Sequence, residues 1–296
     1  MYIKLCRQKY ELTQEELTQE LYNFDESFVG LDTRTINRWE NDKTIPSIER
    51  QIAILNYFQT ISSQVLPCLE GFSLDELEEQ ISKIARTNIV GKNKEIVLNF
   101  PSAYIQLENL KIIQLKDSNI IGATISLALN IDKSFSKNYS KIQAEQFRDW
   151  STHPSSFFLV CEYEKQFFGL LFALRLKPDI FNKIINFEME EADLNSSHFA
   201  NNNEDGCSYI IEFFAQSQEV ASSLLIKYYT YLIANQSSIL KIGVYSMMKE
   251  GKKIIERMNL SLKKELVRDE SIFSSYEASL SDVLINETLL KMIFTK

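Results

Sequence analysis

Residues 31–46, LDTRTINRWENDKTIP, constrain the fold more than any other stretch of this chain. Asp32 is a good helix N-cap, because its carboxylate can accept hydrogen bonds from the free amides of the first turn. Ile36 and Trp39 lie three residues apart and share one helix face. Pro46 helps to end the segment. The stretch therefore predicts a short amphipathic helix whose apolar face is buried against other elements.

The opposite face of this helix carries four side chains that form hydrogen bonds, Thr33, Arg34, Asn37 and Arg38. Arg and Asn make bidentate contacts to guanine and adenine edges in the major groove of DNA. A solvated amphipathic helix with two arginines is the alternative interpretation of the same pattern. The flanking sequence decides between the two.

Short helices are predicted on both sides of this segment. Thr13 and Glu16 form an S/T-x-x-E capping box ahead of a helix that reaches Leu21. Further helices are predicted over residues 1–10 and 47–58. The apolar side chains expected to face inward are Ile3, Leu5, Cys6, Leu17, Leu21, Ile48, Ile52, Leu55 and Phe58. Roughly 60 residues thus form a small helical domain.

The pattern R-x-x-x-x-L-T-Q-E-E-L, followed by T-I-N-R-W-E-N-D-K-T-I-P-S, resembles the Cro/repressor type of helix-turn-helix, the XRE-like regulators. The resemblance covers residues 1 to about 60. It implies that Arg7 and Glu40 form a structural ion pair. It also implies that Thr33, Arg34, Asn37 and Arg38 contact DNA bases and that Gln14, Asn41 and Lys43 contact phosphates.

The sequence departs from this family at two places. Residues 22–31 insert about eight residues where the family has a tight turn between its second and third helices. Asp42 stands where the family usually has a glycine in the left-handed conformation. Asp tolerates that conformation better than most residues, so we expect little damage there.

Composition sets further limits. The 296 residues are 45% hydrophobic and 24% charged, as in ordinary soluble proteins, and no run reaches the ~20 apolar residues of a membrane span. The four cysteines are far apart, and the first helix begins at the N-terminus without a signal peptide, so a reduced cytoplasmic location is expected. The two histidines lie near neither a cysteine nor each other, so we expect no zinc site and no Ser-His-Asp triad.

The net charge of −8 is unusual for a DNA-binding protein, since nonspecific affinity for DNA comes largely from cationic contacts with phosphate. DNA binding by this chain would therefore rely on a few placed contacts and on the symmetry of a dimer. A homodimer is expected on that ground, because one such module buries little DNA surface.

Residues 66–105 are interpreted as a helical connector between a DNA-binding domain at 1–65 and a second domain at 106–296. Ser73 and Glu76 cap its helix, and residues 91–94 form a turn. Leu74, Leu77, Ile81 and Ile84 share one face. That face either docks on the second domain or forms a dimer seam.

From Leu110 onward, apolar strands alternate with helices. Strands are predicted near residues 110–115, 157–177 (two strands), 208–215 and 239–246, with two more before residue 284. Helices are predicted over residues 120–131, 141–150, 220–234 and 248–258. This order predicts an α/β or α+β domain with a mixed sheet, and it resembles the GNAT-type N-acyltransferase fold over most of residues 106–290.

The resemblance implies a coenzyme A turn of pattern Q/R-x-x-G-x-G/A after the fourth strand, whose amides hold the pyrophosphate at a helix N-terminus. The matching residues are Gln216, Ser217, Gln218, Glu219, Val220 and Ala221. Glu219 replaces the glycine. A carboxylate ~4 Å from one phosphate charge costs about 4 kcal/mol at a dielectric near 20. This substitution argues against coenzyme A unless Glu219 points to solvent.

The general acid of that family, a tyrosine in the last helix, aligns with Ile255, which has no proton to donate. Tyr245 lies nearby, but its spacing assigns it no role. Glu212 lies on the fourth strand where some members carry a base, but we expect it to face solvent on the side of the sheet opposite Ile211 and Phe213. The aromatic residues crowding the predicted sheet would suit an apolar or acyl ligand if they line a cleft.

The sequence thus predicts a DNA-binding transcription regulator with a GNAT-like domain that senses a ligand or mediates dimerisation, without catalysis and without a cofactor. The rival hypothesis is an N-acyltransferase that uses acetyl- or acyl-coenzyme A and carries an appended DNA-binding domain. A third makes the second domain a protein-interaction platform.

Overall fold

The computed structural model describes residues 2–62, 64–69, 73–85, 110–117, 121–135, 141–163, 166–247, 249–268 and 271–294. The chain divides into two compact units. The first comprises residues 1–85, 229–237 and 284–296, and the second comprises residues 86–228 and 238–283. Among the described residues, no helix combines the length and the apolar character needed to cross a membrane.

Helices dominate the first unit. They are α1 (Tyr2–Lys9), α2 (Gln14–Phe24), α3 (Thr33–Glu40), α4 (Ile48–Thr60) and α5 (Leu74–Ala85). Thr13 and Glu16 form the predicted capping box, and the Asp32 side chain accepts from the Thr35 amide at 2.7 Å. Asp42 has a φ of 53°, so the predicted left-handed position is confirmed. The inserted segment forms a 3-10 turn, Glu26–Phe28, that buries Phe28 completely.

The second unit follows, and it contains a seven-stranded sheet. Its elements are β1 (Leu110–Gln114), α6 (Ile121–Phe135), α7 (Ala144–Thr152), β2 (Phe157–Tyr163), β3 (Gln166–Leu176), α8 (Pro178–Ile185), β4 (Gly206–Ala215), α9 (Gln218–Ala234), β5 (Ile239–Ser246), α10 (Lys249–Arg257), β6 (Ser261–Arg268) and β7 (Ser271–Ser279). Two helices end the described chain, α11 (Leu280–Leu284) and α12 (Glu287–Phe294). The division between the units falls within α9.

The strand order in the sheet is β1-β2-β3-β4-β5-β7-β6. Only β4 and β5 are parallel, and every other neighbouring pair is antiparallel. The predicted mixed sheet is therefore confirmed. One face of the sheet is covered by an aromatic core in which Phe147 of α7 meets Phe158 at 5.8 Å and Phe172 at 5.1 Å between ring centroids.

The predicted inward faces of the helices need correction. Leu5 is exposed on α1, and Tyr2 is buried instead. On α4 the buried face contains Ile54, Leu55 and Phe58, whereas Ile48 is 52% exposed. Gln51 also lies on this buried face, because its side-chain amide donates to the Pro46 carbonyl at 2.8 Å. A hydrogen-bond partner of this kind allows a polar side chain to lie on the buried face of a helix.

The connector helix α5 keeps its predicted cap, with Ser73 and Glu76 bonded reciprocally. Leu77 and Ile81 are buried, but Leu74 is 56% exposed, so it does not belong to the packed face. The side chain of Ile84 and the turn predicted at residues 91–94 lie outside the described residues. Helix α5 packs against α12, which lies within the residues predicted as the second domain (106–296) but belongs to the first compact unit.

Candidate functional site

The parallel strands β4 and β5 separate within the second unit. Their ladder runs from Gly206 opposite Ile239 to Ile210 opposite Val244. Strand β4 continues to Ala215 while staying paired with β3 on its other side. Residues 206–210 are buried, and residues 211–215 are only half-buried. The sheet therefore opens into a cleft beside the second half of β4.

A β-bulge lies at the point of separation. Phe172 of β3 is opposite Glu212, but Ala173 is opposite Ile210, so Ile211 is the extra residue. A bulge bends its strand and increases the local twist, which helps β4 to diverge from β5. Bulging also shifts the alternation of side chains beyond it. Both carboxylate oxygens of Glu212 are shielded from water, so the expectation that Glu212 faces solvent is wrong.

The predicted coenzyme A turn joins β4 to α9. Gln216 fixes this turn to β3, because its backbone amide donates to the Phe168 carbonyl at 2.9 Å and its side chain donates to the Phe167 carbonyl at 3.0 Å. Ser217 accepts from the Val220 amide at 3.2 Å. Helix α9 begins at Gln218, so the unpaired amides of its first turn come shortly after the end of β4.

Gly169 permits the close approach of β3 to this turn. A Cβ atom at residue 169 would lie 2.7 Å from the carbonyl oxygen of Phe214 and 2.7 Å from a methyl group of Val220. Neither distance is compatible with a real side chain. The turn at Gln216–Ala221 is therefore held in place by backbone contacts on one side and by the start of α9 on the other.

Glu219 lies on this turn with its side chain exposed. An exposed carboxylate is surrounded by water, where two unit charges 4 Å apart interact by about 1 kcal/mol. The penalty of about 4 kcal/mol expected from the sequence required a partly buried charge. The substitution at residue 219 therefore weakens an anion site here much less than predicted.

A second constellation lies on the sheet face covered by α8. Glu191 accepts hydrogen bonds from the Tyr209 hydroxyl at 2.6 Å and from the Tyr245 hydroxyl at 3.0 Å. Tyr209 belongs to β4 and is opposite Gly243 of β5, whereas Tyr245 follows the last paired residue, Val244. The Glu191 carboxylate thus bridges the two strands where they begin to separate.

Helix α8 and the segment after it position Glu191. Pro178 begins the helix at a position where its missing N–H costs nothing, and Phe181 and Ile185 pack over Gly243. A Cβ at residue 243 would lie 2.6 Å from the Phe181 ring. The sequence analysis missed both this helix and Glu191. No local motif marks Glu191, since its partners are 18 and 54 residues away in the chain.

The residue aligned with the general acid of the GNAT-type pattern is Ile255, which has no proton to donate. Ile255 of α10 is buried, as an apolar residue should be. Tyr245 of β5 has a hydroxyl group, which donates a hydrogen bond to Glu191. Among the described residues, no group of three His, Cys, Asp or Glu side chains is arranged to hold a metal ion.

The residues predicted to contact DNA are in the first unit. Arg34, Asn37 and Arg38 are exposed on α3, Thr33 is half-buried, and Asn41 and Lys43 are exposed just beyond the helix. Ile36 and Trp39 are buried, as predicted. The outward face of α3 is therefore confirmed as geometry, whereas its role in DNA binding stays a prediction.

Gln14, predicted to contact phosphate, has protein partners. Its side chain donates to Glu40 at 2.6 Å and accepts from Asn37 at 3.4 Å. Glu40 also accepts from Arg7 at 2.6 Å, which forms the predicted ion pair between α1 and α3. Gln14 thus helps to hold α2 against α3.

No protein-family model matches the chain, and no curated protein matches it. Solved structures do. FeeM, an N-acyl amino acid synthase from uncultured soil microbes, is 10% identical, and the match covers 59% of this chain and 91% of that one with a TM-score of 0.41.

Two further matches are acetyltransferases. One, from Salmonella typhimurium, modifies the N-terminal serine of ribosomal protein L7/L12; it is 14% identical over 59% of this chain and 98% of its own, with a TM-score of 0.37. The other, an aminoglycoside 6'-N-acetyltransferase complexed with coenzyme A, is 7% identical over 58% and 96%, with a TM-score of 0.38. At these identities the likeness concerns the fold alone.

The findings correct the function predicted from sequence. The prediction of a non-catalytic, DNA-binding transcription regulator is wrong, because the solved structures that resemble the chain are acyltransferases and acetyltransferases. The prediction of no cofactor is wrong too, since one of these structures holds coenzyme A. The sequence arguments against catalysis and coenzyme A were Glu219, which is exposed, and Ile255, which is buried.

The likeness of residues 1–60 to the XRE-like regulators remains one of sequence motifs, with no matching family model. The mixed sheet of the second unit agrees with the mixed sheet predicted for residues 106–296. The match to FeeM covers 59% of this chain and is a likeness of fold alone.

Proposed function

We propose that the second unit is an N-acyltransferase that transfers an acyl group from acyl-coenzyme A to an amine. The observation that carries this proposal is the separation of β4 from β5 after Ile210 and Val244. The cleft exposes the edge of a strand, whose backbone amides and carbonyls can pair with an extended chain. The pantetheine arm of coenzyme A is such a chain, with two amide groups of its own.

The turn after β4 supports the same ligand. Its residues fit coenzyme A, because the cleft strand leads directly to the N-terminus of α9, a helix of 17 residues. Amides and the helix dipole at such an end favour phosphate groups. The main chain of residues 211–215 would hold the pantetheine arm, and the first turn of α9 would hold the pyrophosphate.

The chemistry supplied by the thioester is acyl transfer: its C–S bond breaks, a C–N bond forms, and the proton lost by the amine ends on the thiol sulfur. The chain's own residues provide the setting. Tyr245 and Glu191 lie where β4 and β5 separate, and the Tyr245 hydroxyl donates its proton in a hydrogen bond to the Glu191 carboxylate. The apolar core beneath β4 limits the access of water to the reacting atoms.

The test is direct. The full chain should bind acetyl-coenzyme A in isothermal titration calorimetry and release free thiol when a panel of primary amines is added, with the amide identified by mass spectrometry. Gln218→Glu adds one negative charge at the start of α9 with little change of shape, and it should weaken acetyl-coenzyme A binding. Binding without transfer to any amine, or no binding at all, would contradict the proposal.

DNA also remains a proposed partner, of the first unit alone. The exposed Arg34, Asn37 and Arg38 on a capped helix support it. Duplexes selected from a random library should bind the full chain, and Arg34→Ala or Arg38→Ala should weaken the selected duplex by about 1–3 kcal/mol. Lys4→Ala, an exposed lysine on α1, is the control. Equal losses on selected and random duplexes would contradict base contact.

Two smaller proposals complete this assignment. A cytoplasmic location is supported by the four cysteines, none of which is in a disulfide. Self-association as a homodimer stays a proposal, and static light scattering of the full chain at micromolar concentration measures it. A monomer under those conditions would contradict it.

A further inference from the structure

A pocket lies in the second unit on the sheet face covered by α8, with about 660 Å³ of empty space that includes its open mouth. Its walls are largely apolar, from Ile184 and Phe187 at the end of α8 to Leu266 and Phe273 on β6 and β7. An apolar pocket with a few polar groups at one place is the usual form of a small-molecule site. The charged side chains that line it therefore indicate which ligands it prefers.

Three of these side chains, Lys141, Glu190 and Arg268, form a charged rim. Lys141 precedes α7 and Arg268 ends β6, and both pair with the Glu190 carboxylate, at 2.9 Å and 3.1 Å. The hydrogen bond from Lys141, and after it the one from Arg268, lowers the pKa of Glu190, so this carboxyl is ionised at neutral pH. One carboxylate thus faces two cations, and the rim carries one net positive charge.

The two cations of the rim have hydrogen-bonding capacity beyond Glu190. An ammonium group carries three N–H donors and a guanidinium group five. Within the part of the chain that the structure describes, the side chains of Lys141 and Arg268 each donate one hydrogen bond, to Glu190. Both side chains are about half exposed or more, so water occupies their other donors. A ligand carboxylate can replace that water.

The fourth charged side chain of the pocket, Glu191, is bonded to the sheet. Its oxygens accept from the hydroxyls of Tyr209 and Tyr245, at 2.6 Å and 3.0 Å, and Tyr209 is completely buried. Tyr245 follows Val244, the last residue of β5 that pairs with β4. This side of the pocket therefore adjoins the mouth of the cleft in which the thioester is proposed to bind.

We infer that this pocket binds the acceptor substrate, an amine with an apolar body that also carries a carboxylate, and that Arg268 and Lys141 hold this carboxylate at the rim. The inference rests on the proposed acyl transfer and names the class of acceptor. The apolar walls receive the body of the molecule. The guanidinium and ammonium groups donate charge-assisted hydrogen bonds to the ligand carboxylate, which shares the two cations with Glu190.

Two probes test the charge preference without any acyl donor. The compounds 3-phenylpropionate and phenethylamine share an aromatic body and differ in the sign of the terminal charge. In equilibrium titrations of the full chain, 3-phenylpropionate should bind saturably, more weakly at high salt, and phenethylamine at least tenfold more weakly still. Met189 lines the pocket, so its methyl resonance, assigned with Met189→Leu, should shift with 3-phenylpropionate. Equal affinities, a preference for the amine, or no saturable binding of the carboxylate would overturn the inference.

Variants of the rim test the residues, and the expected effects have opposite signs. Arg268→Gln and Lys141→Gln should each weaken 3-phenylpropionate at least fivefold, whereas Glu190→Gln should strengthen it at least twofold by removing the competing carboxylate. Lys183→Gln, an exposed lysine of α8 outside the pocket, is the control and should change the affinity by less than twofold. Losses no larger than the control, or a loss with Glu190→Gln, would overturn the inference. Lys141 and Arg268 belong to different elements, so either variant carries the test if the other does not fold.

Acyl transfer and acetyl-coenzyme A binding separate this inference from the proposed function. As acceptors, 4-(aminomethyl)benzoate should have a kcat/KM at least tenfold above that of benzylamine, which lacks the carboxylate. Equal values with intact transfer overturn the inference and leave the proposed function standing. Binding of 3-phenylpropionate that depends on Arg268 in a chain that binds no acetyl-coenzyme A overturns the proposed function and leaves the carboxylate site standing. Arg268→Gln should not change acetyl-coenzyme A binding; a loss equal to that of 3-phenylpropionate would assign the cations to the donor and overturn the inference.

Discussion

Single residues at the start of α9 should set the affinity for the anionic ligand of the proposed function. Glu219 is exposed, although it occupies the position at which the GNAT-type pattern has glycine. Its effect on the affinity for coenzyme A depends on the distance between its carboxylate and the phosphate charge, and on how much water lies between them. At the dielectric of water a charge 4 Å away costs about 1 kcal/mol, and at a partly buried site about 4 kcal/mol. Exposure favours the lower figure.

Glu219→Gln should therefore strengthen coenzyme A binding by about three- to fivefold, since about 1 kcal/mol corresponds to roughly fivefold in affinity. Calorimetry at low and high salt measures this, and salt should reduce the gain. Glu204→Gln, which removes one exposed charge from the loop before β4, should not change the affinity. A thousandfold gain would place Glu219 against the phosphate, and no gain would mean that the anion does not bind at this turn.

Most strands of the second unit could be predicted, because a buried strand has a continuous run of apolar residues in the sequence. Phe157–Tyr163, Gln166–Leu176 and Ile239–Ser246 appear in the sequence as they do in the sheet. Helix α8 and the segment that carries Glu191 were missed. The position of Glu191 depends on hydrogen bonds from Tyr209 of β4 and Tyr245 of β5, which are far from it in the chain and leave no periodic signal near residue 191.

The same limit explains why the burial of some side chains on strands and helices was predicted wrongly. The bulge at Ile211 reverses the alternation of β4, so Glu212 turns away from water even though simple alternation predicts exposure. Gln51 is buried because the Pro46 carbonyl satisfies its amide. Alternation and helical periodicity describe regular elements, and both residues depend on a departure from regularity or on a specific partner.

Where β3 contacts the turn between β4 and α9, Gly169→Ala tests how tightly this turn is held. The new methyl group would meet the backbone of Phe214 and the side chain of Val220 at 2.7 Å, so β4 must shift. We expect a loss of about 1–3 kcal/mol in the free energy of unfolding and weaker acetyl-coenzyme A binding. Urea denaturation and calorimetry measure the two effects.

Gly122→Ala is the control, since nothing lies within 4 Å of the added methyl group and alanine favours the helix α6. Its stability should stay the same or rise by up to about 1 kcal/mol. If Gly169→Ala behaves like this control, the turn is not held by the close approach of β3.

At the scale of the whole molecule, the first unit is assembled from three separate parts of the sequence. Helices α1–α5 are joined by residues 229–237 and by the segment at 284–296. The Tyr2 ring meets Phe294 edge to face at 5.6 Å, and the Gln236 side chain accepts from the Leu66 amide at 2.7 Å. These long-range partners cannot be read from the N-terminal motifs, which by themselves suggest an independent small domain.

A fragment of residues 1–85 should therefore be largely unfolded. It lacks Leu289, Leu290, Ile293 and Phe294, all of which are buried in the full chain. Burying four such side chains contributes roughly 6–12 kcal/mol at about 1.5–3 kcal/mol each, which is comparable with the whole stability of a small domain, about 5–15 kcal/mol. Circular dichroism should show weak helical signal and no cooperative thermal transition. Phe294→Ala in the full chain should lower the free energy of unfolding by about 3 kcal/mol. A fragment that melts cooperatively, as an intact domain does, would show instead that α1–α5 form a core without the C-terminal helix.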